Sequence, residues 1–225
     1  MTAIESTPLV DQVYKDIKKR ILTGDLEPDA KLNIRCLCED YSVSDTPLKQ
    51  ALNRLVTDRL VIALPRRGMR VSKCTPKDIH EAIETRIMIE TFAVPAAIKA
   101  VRKGEPILEK LEQNLIEDRA LIQKTNVSSY SEDSQKELEL SQDFHLIIVR
   151  SLNNSIITES YSNITNHRYV YYQNRTNKTN QVLASVNEHQ QIYERLKAGD
   201  EEGMKASIIA HLKAREYDVS SLGSE

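Results

Sequence analysis

Three histidines carry the clearest chemical signal in this chain of 225 residues. His145 follows Phe144 and lies near the apolar positions Leu140, Ile148 and Leu152. His189 shares a helical face with Val182, Val186, Tyr193 and Leu196, and His211 neighbours Ile208 and Leu212. Helical spacing points all three inward. One such histidine is more often a core residue satisfied by hydrogen bonds than a ligand. Three on separate helices can converge in a bundle core and hold one divalent ion through neutral imidazole. An ion with an open position for water would make the chain a metal-dependent enzyme, but that chemistry needs a general base. No HExxH pattern occurs and no Ser-His-Asp arrangement is legible, so an enzyme is not expected. His80 and His167 receive no role.

The second signal is charge. A formal net charge of −2 hides an asymmetry: residues 1–74 hold 13 Lys and Arg against 10 Asp and Glu, and the remainder holds 18 against 23. The N-terminal third is basic and the rest acidic.

The elements around these residues divide near residue 75. Val13, Ile17, Ile21 and Leu22 recur at helical spacing between Leu9 and Thr23, and Gly24 supplies a stop. A second helix is expected from Asn33 to Tyr41. A third follows Ser44 as N-cap, with Pro47 in its first turn and a single apolar stripe of Leu48, Ala51, Leu52, Leu55 and Val56. Val61–Leu64 and Met69–Val71 then flank the tip Pro65-Arg66-Arg67-Gly68, a two-stranded wing. Thr75-Pro76-Lys77-Asp78 reads as a cap, a proline at N1 and an acid at N3. Helical patterns run from there over about 76–102, 105–125, 130–152, 155–176, 181–198 and 200–217, with a break expected at Pro95. The fold class is mainly α: a winged helix-turn-helix over 1–74 and an all-α bundle of six or seven helices over 75–225. The Tyr- and Arg-rich stretch 166–175 suits either a polar pocket or a dimer face.

The run from Ile21 to Pro28, Lys31-Leu32, the stretch from Val43 to Leu52 and Gly68 resemble the DNA-binding domain of GntR-type bacterial transcription regulators. The resemblance implies DNA contacts by Arg35, Ser44, Thr46, Lys49 and Gly68, to which the exposed face of the third helix adds Asp45 and Gln50 and the wing adds Arg67. Asp45 and Lys49 stand where the family carries arginines, so two guanidinium groups suited to paired contacts are lost. Glu84-Thr85-Arg86, Glu90, Asp143-Phe144-His145, Asn154, Glu188-His189 and His211-Leu212 resemble the FCD ligand-binding domain of the FadR subfamily. That resemblance implies a divalent metal such as zinc on His145, His189 and His211, with an effector carboxylate received by the metal and Arg86. The family's Asp one turn before the first histidine is Ser141 here, and Asp143 points elsewhere on a helix.

The expectation is a ligand-responsive DNA-binding regulator. It would be a repressor released or modulated by a small carboxylate such as a sugar acid, acting as a homodimer on a palindromic operator. The alternatives are the metal-dependent enzyme and a regulator-like protein whose DNA recognition has degenerated through Asp45. No apolar run approaches the roughly 20 residues of a membrane helix. The first ten residues lack a signal-peptide pattern, and Cys36, Cys38 and Cys74 form neither a disulfide framework nor a zinc-type CxxC pair. A cytoplasmic location with no membrane partner is expected.

Overall fold

The computed structural model describes residues 8–73, 75–124, 132–165 and 178–220. Described residues up to 73 belong to one compact unit and those from Thr75 onward to a second.

In the first unit α1 (Leu9–Thr23) buries Val13, Ile17 and Ile21 and ends at Gly24, whose φ of 83° only glycine adopts cheaply. In α2 (Ile34–Tyr41) the Asn33 side chain accepts from the Arg35 and Cys36 amides. Helix α3 (Asp45–Thr57) buries Leu48, Ala51, Leu52 and Leu55 against α1. Ser44 occupies its N-cap position but makes no side-chain cap bond, contrary to expectation. Its hydroxyl is thus left exposed on the outer face.

The wing is three-stranded rather than two-stranded. Strands β2 (Val61–Leu64) and β3 (Gly68–Val71) form the expected antiparallel hairpin, and β1 (Lys31–Leu32) adds to the far edge of β3. Two residues are too few to show alternation, so β1 exists through pairing rather than pattern.

The second unit is helical throughout its described residues. A capping box joins Thr75 and Asp78 at the start of α4 (Pro76–Arg102). This helix passes through Pro95 without the expected break: Pro95 lies on its exposed side, where water can satisfy the carbonyl one turn earlier. Helices α5 (Ile107–Lys124), α6 (Glu132–Arg150), α7 (Ser155–Thr165), α8 (Lys178–Ala198) and α9 (Glu201–Ser220) complete six described helices. The end of the helix expected over 155–176, with the tyrosine stretch and His167, lies outside the described residues, as does Cys74. Helix α9 packs along α4, and α5 packs against both α6 and α8. Ala97, Leu111, Phe144, Ile192, Met204 and Ile208 lie in the shared core.

Truncating Leu52 tests the anchor of the wing unit. Leu52→Ala should cost about 2–5 kcal/mol, because it removes fully buried methyl groups and leaves a cavity. Chemical denaturation should show that loss in the transition of the first unit while the helical unit's transition stays in place.

Candidate metal centre and nucleic-acid interface

Helices α6, α8 and α9 each turn one histidine into the bundle core. His145 and His189 are 0 % exposed and His211 is 1 % exposed. His145 Nε2 lies 3.1 Å from His189 Nε2 and 3.1 Å from His211 Nε2. One ligand atom from each residue falls within 4.8 Å of the others. Phe144 stacks on the His189 ring at 4.4 Å and 14°, so the aromatic neighbour fixes that imidazole's plane.

Two carboxylates set the tautomers. Glu90 Oε2 lies 2.8 Å from His145 Nδ1, and Glu188 Oε2 lies 2.8 Å from His211 Nδ1. Carboxylates accept, so each Nδ1 carries the proton and each Nε2 presents a lone pair. His145 and His211 therefore bring two acceptors to 3.1 Å, a contact that needs a positive charge between them. Three nitrogens each about 2.05 Å from one tetrahedral ion would stand about 3.3 Å apart, so the arrangement fits a zinc-sized cation with outer-shell carboxylates already in place.

Glu90 is also the hub of a second network. Arg86 Nε donates to Glu90 Oε1 at 2.9 Å and to the Tyr161 hydroxyl oxygen at 3.2 Å, while Tyr161 donates to Glu90 Oε1 at 2.7 Å. Burial opposes ionisation of Glu90. The charge of Arg86, with hydrogen bonds from His145 and Tyr161, outweighs it and holds the carboxyl at about 2. Arg86 Nη2 has no hydrogen-bond partner among the described residues, although it is buried. Arg86 and Glu90 thus pair inside the core. Ser141 is buried one turn before His145 with its Oγ unpartnered, whereas Asp143 is exposed. His80 sits on the surface of α4, 3.5 Å from Glu84.

In the first unit Arg35, Ser44, Asp45, Thr46, Lys49, Gln50, Arg67 and Gly68 are all exposed. Asp45, Thr46, Lys49 and Gln50 share the outer face of α3, and Arg67 and Gly68 lie at the wing tip. Lys49 Nζ donates to Asp45 Oδ2 at 2.8 Å, and Arg35 Nε lies 3.3 Å from Glu39. Two of the cations expected to meet DNA are thus paired within their own helices. Cys38 Sγ lies 3.5 Å from Asp45 Oδ1, while Cys36 points to solvent.

Residues 9–71 match the gntR family of bacterial regulatory proteins, and residues 81–214 match the FCD domain. The chain belongs to the GntR family, with an FCD domain as its second half. This GntR regulator is 28% identical over 207 residues to the HTH-type transcriptional regulator YdhC of Bacillus subtilis (strain 168), covering 91% of the chain and 88% of the relative. It is 27% identical over 153 residues to the gluconate operon transcriptional repressor of the same organism, covering 68% and 59%. A solved GntR regulator from Rhodococcus sp. RHA1 shares the fold at a TM-score of 0.72 and 22% identity, covering 97% and 100%. The GntR regulator is a ligand-responsive transcription regulator and not an enzyme. No helix among its described residues is long and apolar enough to cross a membrane.

Sequence reasoning placed the histidines but missed their carboxylate partners. Glu188 adjoins His189 in the chain yet reaches His211 from α8 to α9, and Glu90 meets His145 from α4. Tyr161 gave no signal, because a tyrosine in an amphipathic helix looks like ordinary packing.

Removing the Glu90 charge strands a buried guanidinium. Glu90→Gln should cost about 3–5 kcal/mol at neutral pH. Because the folded carboxyl lies at about 2 against the ordinary 4.5, its stabilisation is present above 4.5 and is lost as pH falls towards 2. Thermal unfolding across that range should show the acid loss in the parent and a flatter profile in Glu90→Gln.

Proposed function

We propose that this regulator binds a palindromic operator as a homodimer and that a small carboxylate, with a sugar acid as the leading class, modulates or releases it as a repressor. Residues 1–74 serve as the DNA-binding domain and 75–225 as the effector-binding and dimerisation domain, in the cytoplasm. The approach of the His145 and His211 lone pairs to 3.1 Å carries the effector half of this reading, because it calls for a cation there. His145, His189 and His211 would hold a divalent metal such as zinc, which when bound supplies a Lewis-acid position for a carboxylate oxygen. Arg86 offers Nη2 to the same carboxylate, and the Ser141 hydroxyl adds a neutral contact. Similarity to the gluconate operon repressor supports both repression and the sugar acid. Met88 and Phe92 of α4 and Ile156 of α7 are exposed apolar residues that a second copy would cover.

On the DNA side, Arg35, Ser44, Asp45, Thr46, Lys49, Gln50, Arg67 and Gly68 form the reading face, with the third helix in the major groove and the wing along the backbone. Lys49→Ala and Arg67→Ala should each weaken operator binding and reduce its salt slope by about 1, as measured by titration at several salt concentrations. Unchanged affinity in both would remove the placement. The Lys49–Asp45 pair favours a second reading, in which sequence-specific recognition has degenerated. Selection of bound DNA from a random pool separates the two, since an enriched palindrome excludes degeneracy. Asp45→Arg frees Lys49 and replaces a repulsive charge, so non-specific DNA binding should tighten.

Zinc should raise the melting temperature of the full chain, and His189→Ala should abolish that rise. Ser141→Asp puts an anionic ligand one turn from His145, so it should raise the melting temperature with zinc and lower it without. Destabilisation at saturating zinc, with no metal in elemental analysis of the parent, would defeat the metal site.

A further inference from the structure

Asp118 stands on the apolar face of α5, where Leu111, Leu115 and Ile122 recur around it and are buried. It is itself only 1 % exposed, and neither carboxylate oxygen has a hydrogen-bond partner among the described residues. Desolvation, and next the negative charge of buried Glu137 on α6, push its carboxyl up to about 7. Asn114, one turn before Asp118, donates Nδ2 to the Leu140 carbonyl of α6 at 2.9 Å, which ties the two helices together beside Ser141. Asn114 Oδ1 and Ser141 Oγ are likewise buried without partners. Residues four apart share a helix face, so Asn114 with Asp118 and Glu137 with Ser141 form two polar pairs at one interface. Acceptors there far outnumber donors, and a buried acceptor left unmatched is costly unless something supplies the missing donors.

We propose that this face receives a cationic nitrogen group of the effector, so that the effector carries an ammonium or guanidinium group as well as a carboxylate. The proposal rests on the reading that the helical domain takes up a small-molecule effector, and it changes the class from a plain acid to a zwitterion. An ammonium brings three donors and no acceptor, the complement of the two Asp118 oxygens and Asn114 Oδ1. Ser141 and Glu137 precede His145 by one and two turns, which at 1.5 Å per residue is about 6–12 Å along α6. That is the span of an amino acid whose two charged ends are separated by a chain of several carbons, with its carboxylate at the histidines and Arg86.

Calorimetry and thermal shift on the zinc-loaded full chain test it with 5-aminopentanoate, pentanoate and pentylamine up to about 10 mM. The amino acid should bind at least about tenfold more tightly than pentanoate. Asp118→Asn and Glu137→Gln should each abolish that preference while leaving pentanoate binding in place. Asp118→Asn removes a buried charge without changing shape, so it should fold and melt higher than the parent at neutral pH. Equal binding of the amino acid and pentanoate, or a preference that survives both variants, overturns the cation site and leaves the carboxylate reading standing. Asp118-dependent stabilisation by pentylamine with no response to pentanoate supports the cation site and removes the carboxylate reading. No binding of any probe, or Asp118-dependent stabilisation by magnesium or calcium instead of the amines, overturns the proposal.

Discussion

Two nitrogen lone pairs held 3.1 Å apart in a dry core set the terms for the helical half of this protein. Neutral imidazoles could relieve the contact by changing tautomer, but Glu90 and Glu188 hold the protons of His145 and His211 on Nδ1. Glu90 is in turn fixed by Arg86, one turn earlier on α4, and by Tyr161 of α7. The core must therefore be tight enough to orient four charged or polar side chains, and rigid α4 supplies two of them from one face. A cation at the histidines would convert their repulsion into binding energy, which makes metal affinity a property of the whole bundle rather than of three rings.

The first unit works under a different constraint, because its polar groups stay in water. Lys49–Asp45 and Arg35–Glu39 are exposed pairs within single helices, weakened by water and salt, so DNA phosphates can displace them at small cost. Their effect is on net charge. Asp45 places a negative group beside the cations of α3, on the surface that faces a polyanion when the reading face binds DNA.

Most helices were legible because their apolar residues recur at i, i+3 and i+4. Leu48, Ala51, Leu52 and Leu55 wrote α3 without ambiguity, and Thr75 with Asp78 wrote the start of α4. Strand β1 was not, since two residues have no periodicity, and Pro95 misled because a proline's cost depends on which side of the helix it faces. The three histidines were legible as a set by their apolar neighbours. Glu188 was not, since its partner His211 lies on another helix, 23 positions away in the chain. Asp118 left a trace in the sequence: it falls on the stripe of Leu111, Leu115 and Ile122, where an acid has no reason to sit in a stable core.

That misplaced acid bears on how a ligand could act at all. A ligand shifts an equilibrium only by its differential affinity for the two states, and a bundle that is already fully satisfied offers little to gain. Here Asp118, Ser141, Asn114 and Arg86 Nη2 bring buried polar atoms that have no hydrogen-bond partner among the described residues. Each tolerates burial poorly if left alone. A molecule that matched those atoms at once would remove several costs together. The unsatisfied atoms are then what makes the domain responsive, and filling them with apolar residues would give a more stable helical unit that no longer distinguishes its ligand from water.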